Sequence, residues 1–178
     1  MIDQFLAKTK WFLRDTSPLL SFLIFVLTAL LISFWLIFFK KEKKLRSILF
    51  AVVFSISLTG ILMFTLLRKP DAADYGFEYA FHSLPSAFVF GSESSIVFGF
   101  NILLFVPFAF VLRWKISVLA TSVTCVVLSV CIELAQMIFR LGIFEIADIL
   151  GNCLGAVIGM LLCLLTTFLI DYVKKNES

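Results

Sequence analysis

Five long apolar segments constrain the fold of this chain more than any other feature of its sequence. A helix that crosses a membrane needs about 20 mostly apolar residues, with a range of roughly 17 to 25. Hydrophobic residues make up 61% of the chain and charged residues only 15%, against about 25% charged in soluble domains. The sequence therefore predicts an integral membrane protein. The five segments are residues 19–39, 48–67, 96–112, 116–139 and 148–170.

We therefore expect an all-α fold, a polytopic helical membrane bundle of five transmembrane helices that forms one domain over residues 1–178. Residues 1–15 place apolar and charged side chains near helical spacing, which predicts an amphipathic helix on the membrane surface. The first apolar segment is followed by KKEKK and by no small-residue cleavage site, so we expect it to remain as a span.

The basic residues flank the predicted spans unevenly, and this bias predicts the orientation. We expect the amino terminus outside and the carboxyl terminus in the cytoplasm. Arg68, Lys69 and Arg140 then lie in outer loops, while Lys8, Lys10 and Arg14 belong to the predicted surface helix. The inner face collects Lys40, Lys41, Lys43, Lys44, Arg46, Arg113, Lys115, Lys174 and Lys175.

Residues 68–95 form the longest predicted loop. Structureless loops longer than about 12–15 residues are usually functional or disordered. This loop is rich in tyrosine and phenylalanine, which are typical of membrane interfaces. We expect it to pack at the outer interface or to enter the membrane shallowly, as a lid over the residues beneath it.

Polar side chains form one stripe on the fourth apolar segment and another on the fifth. Glu133, Gln136 and Arg140 follow Ser129 at helical spacing, and Asp148 and Asn152 share a face of the fifth segment. A short connection predicts that the two helices are antiparallel neighbours. A rise of ~1.5 Å per residue places Gln136 and Asn152 roughly 6 Å below the outer end, and Glu133 about 10 Å below it.

Asn101 in the third segment falls at roughly 8 Å by the same rise. The six polar residues are therefore expected to meet in the outer half of the bilayer, where ionisable residues usually mark functional sites. The predicted ligand-binding set is Asn101, Glu133, Gln136, Arg140, Asp148 and Asn152.

Two other interpretations stay open at this point. If the chain is an enzyme, Glu133 and Asp148 are the candidate acid and base; if it is a scaffold, the polar residues are interhelical hydrogen bonds that fix register. Gly151, Gly155 and Gly159 recur every four residues, which predicts close helix packing and allows an oligomer. The sequence contains no metal-ligand pattern, no cofactor motif and no basic patch for nucleic acid.

Three stretches resemble the three blocks of the VanZ-like family of small bacterial membrane proteins. They are NILLFVPFAF at residues 101–110, IELAQ at 132–136 and FEIADILGNCLGAVIG at 144–159. Asp148, Asn152 and Gly155 keep the family pattern, whereas Glu145 and Ala147 replace two of its acids. Arg140 is displaced by about two residues from the position of the family arginine.

This resemblance implies a protein of the bacterial plasma membrane that contributes to resistance against teicoplanin-like glycopeptides, which carry a lipid tail. It suggests membrane lipids as partners, together with a lipoglycopeptide or a polyprenyl-linked cell-wall precursor as ligand. Such ligands are found in the outer leaflet, where the six polar residues are expected to meet.

Overall fold

The computed structural model of the protein describes residues 44–66 and 77–176, and within these two ranges the chain is helical and has no strand. A short 3₁₀ helix, Phe77–Tyr79, joins five α-helices there. These are α1 (Lys44–Leu66), α2 (Leu84–Ala87), α3 (Glu93–Lys115), α4 (Val118–Ile138) and α5 (Ile146–Asn176). The all-α prediction is confirmed for these residues. The first apolar segment and the predicted surface helix lie outside the described residues.

Three of the described helices are long and apolar enough to cross a membrane: Glu93–Lys115, Val118–Ile138 and Ile146–Val173. They correspond to the third, fourth and fifth predicted segments; the third and fifth helices extend beyond the predicted ends, and the fourth is shorter at both ends. The second predicted segment lies in α1, whose apolar part, Phe50–Thr65, is shorter than these three. The chain therefore has the character of a membrane protein, and the total of five spans stays a prediction.

Serine caps explain where α3 and α4 begin. Ser92 accepts a hydrogen bond from the backbone N–H of Ser95 at 3.0 Å, so α3 starts at Glu93 and the preceding loop ends earlier than predicted. Ser117 accepts from the N–H of Ala120 at 3.2 Å. A serine at this position satisfies a backbone donor that the helix itself leaves unpaired. Only residues 116–117 separate α3 from α4, so the two helices form a hairpin.

Long helices that follow one another along the chain run antiparallel in this bundle. The rings of Phe54 and Phe108 stack with centroids 5.5 Å apart, and those of Phe64 and Phe100 lie 6.4 Å apart, so the residue order along α1 runs opposite to that along α3. Side-chain contacts between α4 and α5 show the same opposition. The buried core between the helices contains Ile61, Phe105, Phe108, Ala109, Cys125, Ile132, Ala156 and Met160.

This alternation gives the bundle two distinct ends. One end, called here the loop end, carries the last residues of α1 and α4 and the first residues of α3 and α5. The opposite end, called here the basic end, carries Lys44, Lys115 and Lys175. Among the described residues, Arg140, which sequence analysis placed outside, lies at the loop end, whereas Lys44, Lys115 and Lys175, which it placed inside, lie at the basic end. Which end faces the outside of the cell stays a prediction.

The described part of the predicted outer loop is folded and attached to the loop end. The backbone N–H of Ile146, the first residue of α5, donates to the carbonyl oxygen of Ala80 at 2.8 Å. The rings of Phe77 and Phe144 meet edge to face with centroids 5.2 Å apart. Gly91 has a φ of 85°, a backbone conformation that glycine adopts without steric cost, and it turns the chain from α2 into α3.

Candidate functional site

Buried polar side chains form a column that begins at the loop end and continues between α3, α4 and α5. Each of its six residues is at most 5% exposed. The structure thus buries five of the six predicted ligand-binding residues in one region of the bundle, and adds a serine to them. This polar column consists of Asn101, Ser129, Glu133, Gln136, Asp148 and Asn152.

Gln136 is the column residue nearest the loop end on α4. Its Nε2 atom donates a hydrogen bond to the carbonyl oxygen of Thr65 at 2.7 Å. Thr65 lies in the last turn of α1, where backbone carbonyls have no partner within the helix. Gln136 therefore caps α1 from a neighbouring helix and fixes the end of α1 against α4.

Glu133 and Asp148 bring two buried carboxyl groups to the start of α5. The Oε2 atom of Glu133 accepts a hydrogen bond from the backbone N–H of Glu145 at 3.0 Å, and Glu145 directly precedes α5. Asp148 lies in the first turn of the same helix. The first turn of a helix has unpaired N–H groups and the positive end of the helix dipole, and both stabilise carboxylates.

Asn152 and Ser129 form the level of the column farthest from the loop end. The Nδ2 atom of Asn152 donates to the Oγ atom of Ser129 at 2.8 Å. Sequence analysis placed Asn152 at the depth of Gln136, and this estimate was wrong. The estimate assumed that Arg140 and Asp148 lie at the same depth. In the structure Asn152 pairs with Ser129, which lies about 10 Å from Gln136 along α4, farther from the loop end.

Asn101 reaches the column from α3. Gly151 lies so close to it that a Cβ atom built on this glycine would lie 3.2 Å from the Cβ atom of Asn101. The asparagine is therefore next to Gly151 in the packing of α3 against α5. Three different helices thus contribute amide side chains to the column: Asn101, Gln136 and Asn152.

Each of these three amides has one buried polar atom that has no hydrogen-bond partner within the part of the chain that the structure describes. They are the Nδ2 atom of Asn101, the Oε1 atom of Gln136 and the Oδ1 atom of Asn152. A buried polar atom without a partner costs about 1–3 kcal/mol, so few are kept in folded proteins. The column therefore offers one donor and two acceptors that no group of residues 44–66 and 77–176 satisfies.

Arg140 lies outside the polar column, and its predicted place on the stripe of α4 was wrong. The helix ends at Ile138, and the chain closes it with hydrogen bonds from the N–H of Leu141 to the carbonyl of Gln136 at 2.8 Å and from the N–H of Arg140 to that of Met137 at 3.2 Å. This is the Schellman motif. It places Arg140 at a φ of 54° and leaves its side chain exposed at the loop end.

Gly151, Gly155 and Gly159 bring α5 close to α3 of the same chain. A Cβ atom at Gly151 would lie 3.1 Å from the carbonyl oxygen of Phe98, and Cβ atoms at the other two glycines would collide with the carbonyl oxygens of Ile102 and Val106. The contacts advance together along both helices, so α3 and α5 are parallel. An oligomer formed through these glycines stays a prediction, since within one chain the row already contacts α3.

Sequence analysis left two column partners out of the predicted site. Ser129 stands on the polar stripe of α4, so its spacing was a usable signal for the pair with Asn152. The partner of Gln136 is a backbone carbonyl, that of Thr65, and a backbone group leaves no trace in the side-chain pattern. The helix packing that brings α1 to Gln136 is the information that the sequence lacked.

Comparison with known protein families gives a match over most of this chain. The model of the family described as VanZ/LLP1 matches residues 26–168, a stretch that contains the whole polar column and the glycine row. No curated protein and no solved structure matches the chain.

Proposed function

The chain belongs to the VanZ/LLP1 family, and from this premise we propose that its polar column binds the polar head group of a lipidic ligand in the outer leaflet of the bacterial plasma membrane. The ligand is a lipoglycopeptide or a polyprenyl-linked cell-wall precursor. By binding it, the protein lowers the susceptibility of the cell to teicoplanin-like drugs, which carry a lipid tail.

The observation that carries this proposal is the set of three buried amide atoms that have no partner among the described residues. If the column served only to hold helices together, its polar atoms would pair with one another, because hydrogen bonds between helices stabilise by saturating both groups. Asn101, Gln136 and Asn152 each leave one atom unsaturated. A head group with hydroxyl or amide functions has both donors and acceptors, so it can satisfy all three.

Two further features support a ligand at this end of the bundle. Glu133 and Asp148 are buried carboxyl groups within a membrane protein, and such residues usually belong to functional sites. Arg140 is exposed beside the start of the column in an unfavourable backbone conformation, which is often retained where a side chain has a functional role. A guanidinium group there is placed to contact an anionic part of the ligand.

The test exploits the unsaturated atom of Asn101. The variant Asn101→Leu removes a buried amide that lacks a full set of partners and replaces it with an apolar side chain of similar size. We expect its thermal stability in detergent to equal or exceed that of the native protein, because the cost of the unpaired group disappears. We expect its ligand-dependent activity to be lost.

Activity is measured as drug susceptibility in a bacterial host that lacks the protein, at matched membrane levels of each variant. We expect the native chain to raise the inhibitory concentration of teicoplanin but not that of vancomycin, which has no lipid tail. Asn101→Leu should not protect. The control Thr124→Ala should protect fully. Thr124 is exposed on α4, and its Oγ1 atom donates a hydrogen bond to the carbonyl oxygen of Ala120 in the same helix at 2.8 Å.

Equal protection by the native protein and Asn101→Leu would contradict the ligand-binding proposal and favour a scaffold. Absence of protection by the native chain would contradict the drug-resistance part alone. Native mass spectrometry of the purified protein then tests the wall-precursor part: a bound polyprenyl-linked lipid that Asn101→Leu fails to retain supports it, and its absence from the native protein excludes it.

One observation favours an enzymatic alternative. Glu133 is buried on α4 and bonds the residue before α5, and Asp148 is buried in the first turn of α5. Two carboxyl groups are able to act as general acid and base on a lipid-linked head group. Under this alternative, Glu133→Gln abolishes turnover of such a substrate, although its amide oxygen still accepts the Glu145 N–H. No turnover of lipid-linked head groups by the native protein would exclude it.

A further inference from the structure

Residues 77–90 carry an unusual density of exposed apolar side chains. They are the described part of the predicted outer loop that precedes α3. Phe77 is 59% exposed, Phe81 64%, Phe88 68%, Val89 59% and Phe90 84%. Single exposed apolar residues are common on proteins, but a contiguous group of large ones marks an interaction surface. This group is called here the aromatic patch.

The opposite side of the same segment is attached to the bundle. Ala80 and Ala87 are buried, and the carbonyl oxygen of Ala80 accepts the N–H of Ile146 at 2.8 Å. The Oγ atom of Ser86 donates to that of Ser94 in the first turn of α3 at 2.8 Å. The ring of Phe88 also packs against that of Phe98 on α3, with centroids 5.5 Å apart. The patch is therefore held in place by α3 and α5, while most of the surface of its large apolar side chains stays exposed.

The position of the patch along the bundle axis indicates what it contacts. It lies at the loop end, beside the first turns of α3 and α5, where these spans enter the membrane. Ile138 and Phe139, at the same end of the bundle, are also apolar and each 68% exposed. Spanning helices present such residues to lipid, and aromatic side chains are enriched where spans meet the head groups.

The low number of charged residues in this segment is also what a position at the membrane interface requires. Between residues 77 and 92 the only side chain that is charged at neutral pH is Glu78, and His82 is the only other titratable group besides Tyr79. A water-facing lid of this length, or a docking site for a soluble partner, would expose more charge.

We propose that residues 77–90 form a membrane-interface element, with Phe81, Phe88 and Phe90 inserted among the head groups of the outer leaflet. The element lies on the lipid surface around the loop end and is anchored to α5 through Ala80. A molecule that reaches the polar column past this element arrives from the lipid phase. The proposal concerns a lipid-contacting surface, so it does not depend on whether the column binds a ligand.

The test measures the depth of a fluorescent side chain at the patch. Trp11, Trp35 and Trp114 are replaced by phenylalanine, and Phe90→Trp is introduced as the single probe. Phe90 is the most exposed residue of the patch, so the change removes little packing. The protein is reconstituted in phosphatidylcholine vesicles that contain phospholipids with a nitroxide either near the head group or near the end of an acyl chain, and iodide serves as the aqueous quencher.

We expect the tryptophan at residue 90 to lose more emission to the shallow nitroxide than to the deep one, and little to iodide. A second variant, Val157→Trp, calibrates the depth, because Val157 is 46% exposed in the middle of α5 and should be quenched most by the deep nitroxide. Strong quenching by iodide with little effect of either lipid would overturn the proposal. Preferential quenching by the deep nitroxide would also overturn it, in favour of a re-entrant segment.

Folding of the probe variants is verified by their thermal unfolding, and Phe81→Trp repeats the measurement at an independent position. Because the readout is depth and not drug protection, failure of the proposed function leaves this result unchanged. Conversely, an aqueous patch would not alter the drug susceptibility expected for the native protein.

Discussion

At the scale of single residues, Arg140 occupies the first position after the C-cap of α4, where a Schellman motif usually has glycine. The residue after a Schellman-capped helix adopts the left-handed conformation, which costs a residue with a Cβ atom roughly 1–2 kcal/mol. Arg140 has a φ of 54° there. An arginine that occupies this position in spite of the cost is consistent with a functional cation at the loop end. Substitutions of Arg140 are able to remove the conformational cost and the positive charge in different combinations.

We expect Arg140→Gly to raise the free energy of unfolding by about 1 kcal/mol, because glycine adopts a positive φ without steric cost. We expect the same variant to lose protection against teicoplanin, because it has no guanidinium group. Arg140→Ala keeps the backbone strain and should lose protection without becoming more stable. Unfolding in mixed micelles and drug susceptibility provide the two readouts; full protection by Arg140→Gly would show that the side chain has no part in binding.

The pair formed by Asn152 and Ser129 gives a second prediction at this scale. Ser129→Ala removes the acceptor of the 2.8 Å bond and leaves the Asn152 amide with a further unpaired atom. We expect the free energy of unfolding to fall by ~0.6 to 1.7 kcal/mol, the range of interhelical hydrogen bonds in membranes. Thr124→Ala, on the exposed face of α4, should change it by much less. A double-mutant cycle with Asn152→Ala that gives no coupling would contradict the pairing.

At the scale of helices, the bundle depends on the close approach of α3 and α5. The glycines of α5 face backbone atoms of α3 over three successive turns, at Phe98, Ile102 and Val106. In a membrane there is little hydrophobic drive to associate helices, so packing of this kind supplies much of the stability. It also positions Asn101 beside Gly151, so the packing of α3 against α5 determines how the polar column is assembled.

Gly155→Ala tests this contact. The added Cβ atom would collide with the carbonyl group of Ile102, which belongs to the backbone and has no freedom to rotate away. We expect the free energy of unfolding to fall by about 1–3 kcal/mol, the usual cost of overpacking.

The matched control is Gly99→Ala on α3, where a Cβ atom would meet nothing within 4 Å. Alanine favours a helix over glycine by about 1 kcal/mol, so this variant should be as stable as the native protein or more so. Unfolding of both variants in mixed micelles provides the comparison. Equal effects of the two substitutions would mean that helix propensity, and not the contact between α3 and α5, determines the result.

The helices themselves were predictable because each depends on a local pattern. Apolar length predicted α3, α4 and α5, and helical spacing predicted that Glu133 and Gln136 share a buried face. Arg140 does not lie on the polar stripe because α4 ends at Ile138, two residues earlier than the spacing suggested. The end of a helix depends on backbone hydrogen bonds, which the side-chain pattern does not show. The depth of Asn152 and the bond from Gln136 to Thr65 depend on how helices slide and pack against each other, which a single-helix pattern does not contain.

At the scale of the whole molecule, the two ends of the bundle differ in chemistry. The loop end has buried carboxyl groups, unpaired amide atoms and exposed aromatic residues, whereas the basic end has lysine and arginine at the helix termini. Arg140 is the only basic residue that the described ranges place at the loop end. Such asymmetry is typical of membrane proteins, in which basic residues stay in the cytoplasm, and it agrees with a ligand that approaches from the outer leaflet.

Cysteine labelling tests this orientation. Cys125, Cys131, Cys153 and Cys163 are replaced by alanine, and single cysteines are introduced as Glu78→Cys at the loop end or Asn176→Cys at the basic end, both exposed positions. A thiol reagent that does not cross membranes should label residue 78 on intact cells and residue 176 only after permeabilisation, because the uneven distribution of basic residues keeps the basic end inside. The reverse pattern would invert the bundle. The polar column would then open toward the cytoplasmic leaflet, where an extracellular glycopeptide does not reach it, so the labelling result decides whether any drug-binding role is physically accessible to this protein.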